Sequence, residues 1–427
     1  MRRALLSLVL LAPVGCPSWQ VVDCVDGDSC PDGRACPADG SCAAPGGDGG
    51  SGGSGGSAGA GGSENPRCPG GIFEGSHTIE GPDGVFALDG CTTVTGELTV
   101  RQTALARLDL RELASVGGLV VRDNLTLNSI DLPVLATVRG SLVVNGNAAL
   151  GRLDLPLLDS VGDLDVSYNS ALRQIELPLI DSVGDLLLIS NGVLEGVDLP
   201  LLTSVGGNLD LSYSMLTSLS LPSLLTLGDF TAVRAGLGSL DLPALVSIGT
   251  FMVRDGMLTN LAMPALASAG RLDISATYSL TSLDLPALAS LDADLALWNN
   301  ASLANVALPS LISVGGVAAL QDNFLLASVS LPLLTSTGDG LYVSRTTALA
   351  RLDLPALTSV AGVLSIDANV ALTDVNLPLL ASVGELMVND NPALPTCEAE
   401  ALRDQLLTAG WSGNVSISGN DDAGTCP

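Results

Sequence analysis

Residues 142–162 read LVVNGNAALGRLDLPLLDSVG, and between Leu98 and Leu394 the chain repeats that text with little change. The form is L-x-V-x-x-N-x-x-L-x-x-L-D-L-P-x-L-x-S-V-G-G, with its proline at 133, 156, 178, 200, 222, 243, 264, 286, 309, 332, 355 and 378. A period of 21 to 23 residues belongs to a solenoid, in which each unit buries its apolar residues only by stacking on the next.

Two stretches of each unit alternate apolar with polar residues, as in Leu153-Asp154-Leu155 and Leu164-Asp165-Val166. Alternation of period two means a strand with one buried face. Stacked turns then pair each strand with its counterpart one repeat later, about 4.8 Å away. The fold class that follows is mainly β: a right-handed parallel β-solenoid with short helical turns, disulfide caps and one C-terminal cap helix. Proline cannot donate to a ladder, so it ends the second strand and opens a short helical turn. The glycines after Ser-Val are expected to let the backbone reverse into the next strand. Asparagine recurs at 124, 147, 169, 191, 300, 323 and 369; stacked, these carboxamides are expected to hydrogen-bond the turns above and below.

The chain divides into six segments. Residues 1–15 carry Arg2 and Arg3 before an apolar run too short to span a bilayer, the pattern of a signal peptide. They lead to Pro13-Val14-Gly15-Cys16, which resembles a bacterial lipobox except that Pro13 stands where that motif has leucine. Nine cysteines are an odd number, and setting Cys16 aside as a lipid carrier leaves an even set that can pair. Residues 16–45 hold Cys24, Cys30, Cys36 and Cys42 among almost no aliphatic side chains, so disulfides are expected to hold this segment together. The close C-x2-C pairs of zinc sites are absent. Asp26-Gly27-Asp28 starts like a calcium loop but lacks the closing glutamate. Residues 46–64 are a glycine and serine tether, 65–97 an N-terminal cap, 98–394 the solenoid and 395–427 a C-terminal cap.

Solenoid ends expose apolar strands and must be covered. Cys68 and Cys91 bracket Phe73, Val85, Phe86 and Leu88, a loop that a disulfide would close over the first turn. Thr396 is expected to cap a helix from Cys397 to Ala409 with Ala399, Leu402 and Leu406 as its apolar stripe and Gly410 as its stop. Trp411 and a last strand at Val415-Ser416-Ile417 follow, and Cys426 is placed to pair with Cys397.

The run Leu88-Asp89-Gly90-Cys91-Thr92-Thr93-Val94-Thr95-Gly96-Glu97-Leu98-Thr99-Val100 resembles the opening of the receptor L domain. The S-V-G-G-x-L-x-V-x-x-N-x-x-L units are similar to those of glycolipid-anchored fungal cell-wall proteins and of secreted bacterial leucine-rich-repeat lipoproteins. The resemblance covers roughly residues 68–426. It implies surface exposure, binding of a protein or a cell-wall polymer, and no catalysis. The array is longer than one receptor L domain and lacks the furin-like cysteine repeats that follow it in receptors, so receptor signalling does not carry over.

Net charge is −28, and all basic residues are arginine. Nucleic acid and anionic bilayer surfaces are therefore disfavoured partners, which leaves membrane contact to the lipid anchor alone. No cofactor is expected. The single histidine, His77, has no nucleophile placed beside it in the sequence. Acids precede the proline in successive turns at Asp109, Asp131, Asp154, Glu176 and Asp198. Carboxylates about 5 Å apart match the separation in retaining glycosidases, so the enzyme alternative is a polysaccharide-cleaving β-helix. The regular period leaves no room for the loop insertions that build a cleft. A solvated acidic face is the simpler reading, and a weak cation strip is its functional alternative. The outward positions of the other strand include Leu187, Met252, Arg254, Trp298 and Tyr342. So apolar an exposed strip is expected to bind an envelope protein or polysaccharide, or a second copy of the chain. The expected location is the envelope of a bacterium, by lipid anchor, or the medium if unlipidated.

Overall fold

The computed structural model describes residues 67–426. The expected signal peptide, Cys16, the group Cys24 to Cys42 and the tether lie outside the described residues.

Each repeat is one turn of a parallel β-solenoid. In residues 142–162 the side chains of Leu142, Val144, Leu150, Leu153, Leu155, Leu158 and Val161 all point inward and are buried. The pattern recurs through the array, so one leucine-rich core runs from Ile79 to Leu406. Each buried leucine contributes about 1.5–3 kcal/mol, and it does so only when the next turn covers it. The Ser-Val and Leu-x-Val segments form one long parallel sheet of 23 strands. Its register advances one repeat at a time, for example Leu142↔Leu164↔Leu186. The Leu-Asp-Leu segments form shorter parallel sheets of two or three strands.

Proline sits at the second position of a single turn. Leu158 N–H donates to Leu155 O at 3.2 Å around Pro156 and Leu157, a geometry that proline's fixed φ favours. The turn is one hydrogen bond long.

The glycines after Ser-Val do not reverse the chain. None of them has positive φ; a Cβ there would strike the carbonyl of the turn below, 2.6 Å away at Gly117 and 2.3 Å at Gly228. Their role is close approach of stacked backbones. The reversal falls instead on the residue before the asparagine, or before the residue that replaces it, at positive φ in turn after turn: Asp123 (57°), Tyr168 (60°), Tyr213 (59°), Asp322 (58°), with Gly146 (69°) the glycine of the series.

The asparagines behave as expected. Asn147 Nδ2 donates to Val121 O at 2.8 Å, and its Oδ1 accepts from Asn124 N–H (3.2 Å) and Asn124 Nδ2 (3.0 Å). Thr103 opens the row and Asn391 and Asn420 extend it past Asn369, rungs that the repeat pattern alone had not marked.

Both ends are closed by the two expected disulfides, Cys68–Cys91 (Cα–Cα 5.6 Å) and Cys397–Cys426 (6.1 Å). Strand His77–Ile79 pairs onto Leu98–Val100. At the other end the helix Thr396–Thr408 buries Ala399, Leu402 and Leu406 and stops before Gly410, whose φ is 91°. Thr396 is not its capping residue. Pro395 holds that place without a side-chain cap, and the Thr396 hydroxyl donates to Asp422 Oδ1 at 2.6 Å. Trp411 Nε1 donates to Val383 O at 2.5 Å, and strand Asn414–Ser418 completes the long sheet.

Candidate binding face

Two outward rows of the long sheet carry the residues singled out in the sequence. The mid-strand row runs Val143, Asp165, Leu187, Asp210, Thr231, Met252, Asp273, Ala296, Ala319, Tyr342. The next row runs Arg254, Ser275, Trp298, Gln321, Ser344. Parallel register thus brings Met252, Arg254 and Trp298 within three turns. It leaves Leu187 alone between Asp165 and Asp210, three turns from Met252, and Tyr342 two turns beyond the turn of Trp298. The face is a local cluster with two outliers, and aspartates interrupt its apolar row.

The centre of the cluster is Asp273. It occupies an outward position yet is 0% exposed, covered by longer side chains on either side of it. Its carboxylate accepts from Arg254, from Ser275 Oγ at 2.9 Å and, at the limit, from Arg271 Nη2 at 3.5 Å. Arg271 also lies 3.7 Å from Asp294. A buried carboxylate persists only when paired and hydrogen-bonded, and here two arginines and a hydroxyl do this. The hydrogen bond to Asp273 in turn holds the Arg254 guanidinium above its ordinary pKa. Each arginine keeps a buried Nε with no protein partner. Trp298 stands beside Ser275 with its side of the cluster open, 41% exposed. The patch is therefore a charge-balanced base with an indole beside it, able to offer stacking and guanidinium hydrogen bonds.

Asp273, Arg271 and Ser275 were not legible as site residues. The signal available was the acid in Arg271-Leu272-Asp273-Ile274-Ser275, flanked by arginine at Arg254 and Arg271. Other exposed aromatics, Tyr168, Tyr213, Tyr278 and Phe324, sit at the corner that follows the strand and not on the face.

The acid stripe lies on the short-strand side, and register stacks it as Asp109↔Asp131 and Asp154↔Glu176↔Asp198. Arg107 and Arg111 both reach Asp109 and Asp131, and Arg152 bridges Asp154 and Glu176. Arg351 pairs with Asp374 of the next turn at 3.2 Å and not with Asp353 two residues on. Among the described residues Asp198 is the stripe acid without an ion pair. It borders a shallow cavity of about 390 Å³ with Ser218 and Ser220.

A third set of acids follows the glycines or, at Asp294, an alanine in the same place. Asp185 N–H donates to Asp163 Oδ1 (3.1 Å), Asn208 N–H to Asp185 Oδ1 (2.8 Å) and Val317 N–H to Asp294 Oδ1 (2.9 Å). These carboxylates satisfy backbone donors freed where the long strand bends, which is a structural task. His77 is half-buried, with Nε2 2.9 Å from Gly84 O and its ring 5.0 Å from that of Phe73. Among the described residues no group of three or more His, Cys, Asp or Glu side chains is placed to hold a metal ion, and no helix is long and apolar enough to cross a membrane.

No family model matches the chain, and no curated protein matches it. Among solved structures it is similar to the functional domain of InlJ from Listeria monocytogenes, which includes a cysteine ladder: 18% identity over 72% of this chain and 66% of that one, TM-score 0.26. The chain thus spans just under two thirds of the InlJ domain. It is also similar to a leucine-rich cell-surface protein from Faecalibacterium prausnitzii, at 12% identity over 83% of this chain and 93% of that one, TM-score 0.29.

Proposed function

We propose that the chain is a non-catalytic scaffold of the cell envelope that binds an envelope protein or a cell-wall polymer through the outward face of its long sheet. The observation that carries this reading is the cluster of Met252, Arg254 and Trp298 around the buried Asp273, on a sheet that runs without a gap from Thr93 to Ser418. Exposed tryptophan and arginine are the side chains that dominate binding energy in interfaces. Leu187 and Tyr342 extend the contact along the same row. Attachment through a lipid on Cys16 is part of the proposal and rests on the lipobox-like sequence. Mass spectrometry of the mature N-terminus from a lipoprotein-competent bacterium should find a diacylated Cys16.

The test of the face is retention of the purified chain on envelope extracts and on a glycan array, beside a Trp298→Ala/Tyr342→Ala double variant. Loss of at least tenfold in affinity, with an unchanged melting temperature, is expected. Undiminished binding by the double variant would move the contact elsewhere. Release of reducing ends from any polysaccharide by the wild-type chain would instead favour the stacked-carboxylate enzyme.

A further inference from the structure

The asparagine row is not continuous. It runs from Thr103 through Asn191 and resumes at Thr277, whose N–H and hydroxyl reach Asn300 Oδ1 at 3.0 and 2.6 Å. In the three turns between, its place is taken by Ser214, Ala235 and Gly256. The corner is also one residue shorter there: Leu209 to Leu216, Phe230 to Leu237 and Phe251 to Leu258, against Leu186 to Leu194. Ser214 Oγ is fully buried and has no hydrogen-bond partner.

The second sheet is interrupted at the same borders, as it also is between Ser129–Asp131 and Arg152–Asp154 and between Ser328–Ser330 and Arg351–Asp353. The strands Ser218–Ser220, Ser239–Asp241 and Asn260–Ala262 form a three-stranded sheet of their own, unpaired with Gly196–Asp198 before it or Ser282–Asp284 after it. Inside these turns Phe230 and Phe251 stack at 5.0 Å where most other turns have leucine, filling the core. Only the long sheet crosses both borders, by Ser182↔Ser204 and Leu186↔Leu209 at the first, where the register slips by one residue, and by Ser247↔Ser268 at the second.

We infer that residues 204–267 form a compliant three-turn cassette between two asparagine-locked blocks, hinged on the long sheet and opening at the asparagine corner. Elsewhere each corner is tied to its neighbours by backbone bonds and, except at Thr346, by an asparagine making two to four more. In the cassette the second tie is reduced to single backbone bonds, Met215 N–H to Asn191 O at 3.2 Å and Gly236 N–H to Ser214 O at 2.8 Å, and a buried hydroxyl without a partner adds a standing cost. Local opening is drawn from regions of this kind. The proposal stands independently of the binding reading, although Met252 and Arg254 lie on the cassette and Leu187 and Trp298 lie on the blocks either side.

Amide hydrogen exchange on the full chain tests it. Corner segments 212–217, 233–238 and 254–259 should exchange at least tenfold faster than segments 122–128, 145–150 and 167–172. Equal protection would overturn the inference. The second arm is Asn147→Ala, which removes a lock from the first block: its corner should accelerate to the rate of the cassette while segments 299–304 and 368–373 keep their protection. That distant protection reports that the variant is folded. An unaccelerated corner at 145–150 in a folded variant would show that asparagine is not the lock, and the inference would fall.

Discussion

The two outer sides of the solenoid are built on the same leucines and treat their acids in opposite ways. On the short-strand side the acids recur at one position, stay partly exposed and share Arg107, Arg111 and Arg152 with the turn above or below. On the long-sheet side the residues differ from turn to turn, and one acid, Asp273, is wholly buried by its neighbours. A recurring outward residue finds its own kind one turn away, so its surroundings follow from the repeat itself. An irregular outward residue is set by whichever side chains happen to flank it, and only there can the stack produce a local, interlocked cluster.

The sharpest way to break that contrast is to remove one acid from each side. Asp273→Ala leaves Arg254 and Arg271 partly buried beside an uncompensated hole and should cost about 3 kcal/mol, read as a lower urea midpoint at constant slope. Asp154→Ala removes a half-exposed partner and should cost less than about 1 kcal/mol. Similar losses for the two variants would mean that the sides are not different in kind. Next in size is Gly228→Ala, whose Cβ would stand 2.3 Å from Gly207 O; a loss of about 2 kcal/mol is expected because backbone cannot rotate away. Were that glycine needed only for its dihedral freedom, alanine would be tolerated at its negative φ.

The smallest effect concerns pH. The hydrogen bond from Arg345 holds the Asp322 carboxyl below the usual aspartate range. A depressed folded-state pKa gives stability that is present above the unfolded value near 3.8 and is lost as pH falls through the folded one. Asp322→Asn should therefore flatten the acid limb of the stability profile below pH 4 by less than about 1 kcal/mol, with both side chains partly in solvent. An unchanged limb would mean that the ion pair does not survive in solution.

Much of this was legible from the repeat. Leucine spacing, the proline turn, the asparagine row and both end disulfides are local or periodic facts, and stacking only multiplies them. What escaped depends on contacts between turns. The glycines read as reversal points because glycine is permissive, yet the reversal sits on Asp123, Tyr168 or Tyr213, and the glycine answers to a carbonyl one repeat away. Asp273 looked like any outward acid, since nothing within its own strand tells that Arg254 folds over it. Thr396 had the side chain of a helix cap, but Pro395 precedes it and Asp422 takes its hydroxyl. The shortened corners at 204–267 were visible as a dip in the period, without the asparagine geometry that gives the dip its meaning.

Among the described residues, thirteen that are not glycine hold the positive-φ corner, and their side chains range from Ala276 and Ala368 to Tyr168, Tyr213 and Arg345. The conformation there is imposed by hydrogen bonds between backbones, such as Tyr168 N–H to Ile189 O at 2.9 Å, so it places little demand on the identity of the residue. That edge of the molecule works like a keyboard: one exchangeable key per turn at a pitch of about 4.8 Å, on which chemistry can be rewritten without retuning the frame beneath.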